Sequence, residues 1–472
     1  MPAISSHPVR KKAAKSPYSR LCCKNVQKKY TFDLQNTAAD KVNFYETEKM
    51  EADFEANHVT VVPFKEKADV YIVNTCTVTN IADRKSRQML HRARRLNPES
   101  IVVATGCYAE SGKAQLEDDD TIDVVFANRD KTSIASQVLD YVKEHRPSWK
   151  VEENGNDDAG SRENVHESSP VEERTRKYIK IQDGCNQFCT YCLIPYVRGG
   201  GQLKSREEDD VIEEVKKYAA QGFKEVVLTG IHLSSYGVDR SPYKQFVELK
   251  GQPLVELMKK MDTIDGIERI RLGSLEPRII CDEFLNELKK VTKFCPHFHL
   301  SLQSGCDTTL KRMNRHYTAV EYLEKCEQIR EFYEHPAITT DVIVGFPGET
   351  IEDFETTRAF VKEAELADIH VFPYSERTGT RAAKMEDQVE AQEKHRRSEI
   401  LIRDVEQLNQ EYRKYFIGKE VTVLFEEIQK IDGTSYLTGH NERYVRFGVP
   451  AETTNYEENQ MVTFVAEKEN IL

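Results

Sequence analysis

The sequence has no apolar run approaching the roughly 18–20 residues that a membrane-spanning helix needs, and no secretory hydrophobic segment. Without that segment, its eleven cysteines fit a reducing interior and metal ligation better than disulfide pairing. No acidic residue precedes Asp33, so Arg10, Lys11, Lys12, Lys15, Arg20, Lys24, Lys28 and Lys29 stand uncompensated. Such a start reads by default as a tail (residues 1–39), with an organelle presequence or an RNA-binding arm as alternatives. The net charge of −12 leaves nucleic-acid binding to local patches rather than to overall attraction. Residues 146–176 have almost nothing apolar and predict a linker. At 472 residues the chain is long enough for two or three domains.

What the sequence does contain is Cys185-Asn186-Gln187-Phe188-Cys189-Thr190-Tyr191-Cys192. The C-x3-C-x2-C spacing supplies three thiolates, whereas a [4Fe–4S] cubane usually takes four. One iron is then left for an outside molecule, as an open metal site must be for chemistry rather than structure. Structural zinc is the alternative, but it normally asks for a fourth Cys or His, and none follows before His232. The stretch resembles the radical S-adenosylmethionine (SAM) superfamily. That resemblance implies SAM held on the open iron and cleaved by a cluster electron to a 5′-deoxyadenosyl radical.

Around this motif the chain alternates strands and helices. Asp69–Cys76, Ile101–Cys107 and Val124–Phe126 read as strands, with helices over Ile81–Leu96 and Ser133–Glu144. They predict a small doubly wound α/β domain over residues 40–145, with Cys76 and Cys107 at the ligand-binding edge. Six strands, near Tyr178–Ile181, Glu225–Leu233, Ile267–Leu275, His297–Leu302, Ile338–Gly345 and Ile369–Tyr374, predict a partial (βα)6 barrel over residues 177–417. Its site should lie at the strands' carboxyl ends. Short alternating strands over residues 418–472 predict a small β-barrel of RNA-binding size.

The chain also resembles the methylthiotransferases, and among them the branch acting on threonylcarbamoyl-adenosine in tRNA. The matching runs are Lys41–Glu48, Asn74–Asn80, Thr105–Ala109, Leu228–Leu233, Gly273–Pro277, Leu302–Asp307, Asp341–Thr350 and His370–Ser375. The resemblance implies three parts: an auxiliary-cluster domain, a radical SAM core and a C-terminal TRAM domain. It also implies replacement of the C2 hydrogen of adenine 37 by a methylthio group. One SAM would supply the methyl group, a second the radical, and an auxiliary [4Fe–4S] cluster the sulfur. Cys76 and Cys107 fall on two of the three auxiliary ligand positions. The third is occupied by Asp40, a harder ligand than thiolate, so the auxiliary cluster is expected to be weaker or shifted in potential.

Cys185, Cys189 and Cys192 are the expected ligands of the SAM-binding cluster, and Cys76, Cys107 and Asp40 those of the auxiliary one. By the same resemblance, Gly230, Ser274, Glu276, Gln303, Asp341 and Gly345 should line the SAM and substrate cavity. Tyr191 should flank the SAM adenine or pack. Cys281, Cys295, Cys306 and Cys326 lack ligand spacing and read as core. Arg84–Arg95 and Lys394–Arg397 are candidate phosphate contacts, and Tyr436, Tyr444 and Phe447 candidate base-stacking residues or core. The expected partners are the tRNA anticodon loop and a flavodoxin- or ferredoxin-like electron donor, for a cytoplasmic monomer with no membrane contact. A sister methylthiotransferase, acting on isopentenyl-adenosine or a ribosomal-protein aspartate, is the alternative enzyme. An RNA-binding protein without catalysis is the alternative of another class, and the intact cysteine triad speaks against it.

Overall fold

The computed structural model describes residues 29–33, 41–128, 133–149, 175–241 and 250–472. Asp40 and most of the expected linker lie outside the described residues. The first unit is a five-stranded parallel sheet built from Lys29–Asp33, Thr60–Val62, Val70–Thr75, Ile101–Gly106 and Val124–Val125. In sequence order its strands run 2-1-3-4-5, the doubly wound order whose ligand crevice opens beside strands 1 and 3. Alternation divides the central strands between two cores. Val70, Ile72, Ile101 and Val103 face Met50, Phe54 and Val138; Tyr71, Val73, Val102 and Ala104 face Met89, Leu90 and Ala93. The strand Lys29–Asp33 is a departure from expectation: it falls within the stretch read as a tail, yet it pairs with both Thr60–Val62 and Val70–Thr75.

The second unit is an open barrel. Arg176–Asp183, Glu225–Gly230 and Arg269–Leu272 form one parallel run; His297–His299, Ala337–Val344 and Asp368–Pro373 form another. Bridges between Ile270 and Phe294, and between Leu275 and Leu300, join the two runs. Among the described residues no pairing closes the last strand onto the first. Helices such as Glu208–Ala220, Gln252–Asp262, Ala319–Phe332 and Ile351–Glu363 cover the outside. The helix Lys41–Ala56 of the first unit lies against the first barrel strand, through Lys180–Glu46 (2.6 Å), Lys177–Glu48 (2.7 Å) and Phe44 edge-on to Tyr178.

The long helix Ala391–Lys414 leads to a four-stranded antiparallel sheet of Glu420–Ile431, Thr434–Asn441, Arg446–Pro450 and Met461–Val465. Its first hairpin turns on Asp432 and Gly433, both at positive φ (47° and 89°), as a two-residue hairpin requires. This unit seals the amino ends of the barrel strands. Arg271 donates to the carbonyls of Glu442 (2.9 Å) and Asn441 (3.2 Å), and Arg269 to those of His440 (2.9 Å) and Thr422 (2.5 Å). Tyr444 stacks between His297 and His440, with Arg176 and Arg271 over its ring. Of the expected base-stacking aromatics, Phe447 is fully buried in the small core and Tyr444 is held in this seam. Phe447 is therefore core, while Tyr444 keeps 39% of its surface exposed.

Glu225 sits under the seam, buried beside Arg271 (2.9 Å), with Arg176 and Arg269 within 3.8 Å. Burial acts to raise its carboxyl, but Arg271 and then Arg176 outweigh it and hold the group at about 2. A carboxylate depressed on folding contributes stability above its unfolded value and loses it as pH falls through the folded one. Glu225→Gln is expected to lower the unfolding free energy at pH 7 by about 3 kcal/mol, since it strands buried cations. In denaturant titrations the gap to wild type should narrow as the pH is taken down from 4.5 to 2.

Candidate active site

The cysteine loop leaves the first barrel strand at its carboxyl end, where the alternation of strands and helices places a site. Gly184 makes the exit. Its φ is +77°, and a Cβ there would lie 1.8 Å from the Gln202 carbonyl oxygen, which only glycine avoids. The loop is then pinned from the segment after helix Asp307–Arg312. Thr190 donates through its backbone N–H to Met313 (3.0 Å) and through its hydroxyl to Arg312 (2.9 Å). Asn314 donates to the carbonyls of Gln187 and Phe188.

Cys185, Cys189 and Cys192 are half-buried on this loop. Arg315 donates to the Cys189 sulfur (3.3 Å), and the Ile194 N–H to that of Cys192 (3.4 Å). Burial pushes the Cys185 thiol up to about 11 and the Cys192 thiol further. The donor set fits a cubane better than a lone ion. Zinc holds its thiolates about 3.8 Å apart, given Zn–S bonds of about 2.3 Å. Among the described residues only His299, Asp341 and His370 bring three ligand atoms within 4.8 Å of one another. The three thiols are therefore spread more widely, as cluster corners are.

The remaining expected residues divide between rim and lumen. Gly230 ends its strand with a Cβ position 3.0 Å from the Gln182 side chain. Ser274 is exposed on the rim. Glu276 is buried and accepts from Arg278 Nε (2.7 Å), and Arg278 in turn donates to Gln187 in the cysteine loop (3.1 Å). Gln303 adopts φ +71° and bridges to strand Ala337–Val344. At Gly345 (φ +68°) a Cβ would meet Lys394 at 2.5 Å. Tyr191 packs edge-on against Phe346, 6.3 Å between centroids. Asp341 is not at the rim: it lies three residues inside the strand end, between His299 (3.3 Å) and His370 (3.2 Å). Burial acts to raise its carboxyl, and the two histidines outweigh that and hold it below the ordinary range.

Cys76 and Cys107 follow strands paired in register at Thr75 and Gly106, so they emerge side by side. Gly106 (φ +99°) permits this, since a Cβ there would lie 2.3 Å from the Thr75 carbonyl. Arg198, just beyond the cysteine loop, crosses from the barrel to this edge. Its guanidinium reaches Cys107 Sγ (3.3 Å), Asn43 (2.9 Å), Glu46 (2.7 Å) and Asp183 (3.3 Å). On the far side Arg377 holds Asn80 (2.7 Å) and Asp83 (2.8 Å), closing the loop after Cys76 onto the loop after the last barrel strand. The structure thus brings the two cysteine sets to facing edges of two sheets. Arg198, Arg315, Arg377, His299 and His370 had no local spacing to mark them in the sequence.

The basic runs are largely spent inside the molecule. Arg87 donates to Tyr108 (2.5 Å), His91 lies against Asp119 (2.6 Å) and Arg94 against Asp123 (2.5 Å), leaving Arg84, Lys85 and Arg95 exposed. Lys394 lies over the Tyr374 ring, Arg396 pairs with Glu393, and Arg397 with Glu349. In the second run His395 and Arg396 stay exposed, each beside a glutamate on the same helix, while Arg397 is buried.

Comparison with known proteins agrees with this architecture. The family model described as "Radical SAM superfamily" matches residues 179–361, and "Uncharacterized protein family UPF0004" matches residues 37–127. The threonylcarbamoyladenosine tRNA methylthiotransferase MtaB of Bacillus subtilis (strain 168) is 38% identical over 87% of this chain and 88% of its own length. The protein of that name from Aquifex aeolicus (strain VF5) is 37% identical over 87% and 97%. A tRNA-2-methylthio-N(6)-dimethylallyladenosine synthase of Clostridium botulinum (strain Okra / Type B1) is 35% identical over 78% and 80%. The radical SAM methyltransferase TsrM of Kitasatospora setae shares the fold at 15% identity, with a TM-score of 0.51 over 73% of this chain and 72% of that one. Open parallel barrel and three-cysteine loop define a radical SAM protein, a class built around a [4Fe–4S] cluster and SAM. Within that class the chain belongs to the methylthiotransferase family that includes the threonylcarbamoyladenosine tRNA methylthiotransferases.

A thiol held at about 11 carries about a hundredth of the thiolate of one at the ordinary 9 when the pH is well below both. Higher intrinsic nucleophilicity recovers about ten-fold of that. In metal-free protein at pH 8, Cys185 should therefore alkylate about ten-fold more slowly than an exposed cysteine, read by peptide mass spectrometry against time.

Proposed function

We propose that this chain is a radical SAM tRNA methylthiotransferase that converts N6-threonylcarbamoyladenosine at position 37 of the anticodon loop to its 2-methylthio form. The observation that carries the reading is the seam at Arg198. There the edge bearing Cys76 and Cys107 faces the loop bearing Cys185, Cys189 and Cys192, so a base entering between them meets both at once. In this reading the loop cysteines hold the SAM-binding cluster. Cys76 and Cys107 hold the auxiliary one, with the third ligand at Asp40 or nearby. When bound, the two clusters supply the electron that opens SAM and the sulfur that is transferred.

The chain's own residues do the rest. Arg315 offsets the negative charge of the loop thiolates, which a buried site would otherwise resist. Burial first, and then Arg315 and Arg278, push His232 down to about 3, so it stays neutral and adds no charge beside the loop. The buried pair Glu349–Arg397 (2.8 Å) fixes the Gly345 turn, whose N–H points to the Glu349 carboxylate (3.0 Å). A flavodoxin- or ferredoxin-like donor, a monomeric state and a cytoplasmic setting complete the proposal.

Anaerobic reconstitution should load about eight irons per chain, two cubanes' worth. The loaded chain should convert the threonylcarbamoyl nucleoside in tRNA to the 2-methylthio product by nucleoside mass spectrometry. Cys185→Ala should leave about four irons and no turnover of SAM to 5′-deoxyadenosine. Wild-type protein that loads both clusters and turns over SAM but leaves this nucleoside unchanged would overturn the reading.

A further inference from the structure

The barrel lumen holds a cation that no partner answers among the described residues. Lys41 opens the helix that lies against the barrel's first strand. Its charge is within electrostatic reach of Arg271 and Arg176 and of the carboxylates of Asp341 and Glu225. Protein encloses it, yet water still reaches it. Among the described residues it makes no hydrogen bond or ion pair. The two nearby carboxylates are already taken: Glu225 by Arg271 and its neighbours, Asp341 by His299 and His370. An enclosed ammonium without a counter-charge is costly, and such a group commonly awaits an anion.

The surroundings say what kind of anion. Along Ala337–Val344 burial alternates. Ile338, Thr340, Val342 and Val344 lie under the helices, while Thr339, Asp341 and Ile343 face the lumen. His370 pairs in register with Asp341, and Thr339 Oγ1 lies 3.0 Å from Nδ1 of His299, leaving Nε2 toward the carboxylate. Two residues nearer the rim than His370, Phe372 turns an exposed apolar face to the same opening. The lumen therefore presents an aromatic face near the rim, a carboxylate between two imidazoles below it, and an ammonium within electrostatic reach of that carboxylate. The complementary ligand is a flat heterocycle with a substituent that has hydrogen-bond donors and an anion. A carbamoyl-linked threonine has these parts: amide N–H groups, a hydroxyl and a carboxylate. Adenine and substituent together span about 10 Å, and Asp341 lies about 10 Å below the strand end at about 3.3 Å per residue.

We infer that Lys41, Asp341, His299 and His370 form the recognition site for the amino-acid substituent on the target base, with Lys41 taking its carboxylate and Asp341 its donors. This rests on the reading above and deepens it. The site would select against an apolar N6 substituent, which leaves Lys41 enclosed and unanswered; sites built for polar groups reject analogues lacking them far better than apolar pockets reject small additions.

The test uses the cluster-loaded full chain and two anticodon stem-loop RNAs. One carries threonylcarbamoyl-adenosine; the other carries the same nucleoside with its carboxylate converted to the neutral carboxamide. By fluorescence anisotropy, wild type should bind the acid ~10- to 100-fold more tightly than the amide, the range of a charged hydrogen bond. Lys41→Met should bring the two affinities within about two-fold by losing only the acid's advantage, and Lys41→Arg should keep most of the preference. Circular dichroism and iron content confirm that the variants fold and load. A Lys41→Met chain that still prefers the acid overturns the site. So does stoichiometric Zn2+ binding to the loaded chain that Asp341→Asn abolishes, since the triad would then be a metal centre. Methylthio product with no acid preference in wild type defeats the site alone; absence of product on the acid RNA defeats the reading beneath it.

Discussion

One guanidinium decides how this molecule can be assembled. Arg198 is 3% exposed, and its partners come from three separate places: Glu46 on the first helix, Asp183 before the cysteine loop, and Cys107 at the end of the fourth sheet strand. A buried guanidinium without carboxylates would cost several kcal/mol. The barrel, the helix across its first strand and the edge of the first sheet are therefore stable together in one arrangement. Arg377 repeats the device on the opposite side of the opening, against Asp83 and Asn80. Between these two clamps the cysteine-bearing edges face each other at a fixed gap. A base must enter a preset space rather than draw two loose domains together.

The base of the barrel follows a related logic with another purpose. Arg176, Arg269 and Arg271 point from strand starts into the C-terminal unit, and Glu225 lies among them. This closes the lumen at one end, while His370 and Phe372 remain exposed. An ammonium without a partner among the described residues acts as a selector there rather than as a surface charge.

Much of this was legible in sequence, and the reasons are local. The strand Val70–Thr75 is a run of apolar residues between a polar turn and a capped helix: Thr79 accepts from the Ala82 N–H (3.1 Å). The cysteine loop announces itself by spacing, and Gly184 by the turn it must make. What stayed hidden depends on pairs distant in the chain. His299 and His370 are 71 positions apart in the numbering and meet only because neighbouring strands align Thr339 with one and Asp341 with the other. Asp341 is expected to line the cavity, but its depth of three residues inside the strand end is beyond what pattern alone can fix. Lys41 lay inside a matched run and drew no notice, since a lysine beginning a helix is ordinarily solvated. Strand Lys29–Asp33 was masked by its basic neighbours, whose charge outweighed five residues of alternation.

The distribution of cations also explains how an acidic chain can take RNA as substrate. At net −12 the molecule as a whole repels a polyanion. Among the described residues, several of the basic side chains that the sequence offers as a patch are paired with Asp119, Asp123, Glu349 and Glu393, the Arg397–Glu349 pair being buried. Arg84, Lys85 and Arg95 remain outward on the helix that follows Cys76, the first two near its start beside the Cys76 loop and Arg95 in its last turn. Backbone attraction from this helix rests on a few side chains, which position an RNA without holding it broadly. In the proposed reading discrimination then comes from what the target base carries into the lumen, because phosphate contacts give position and little identity.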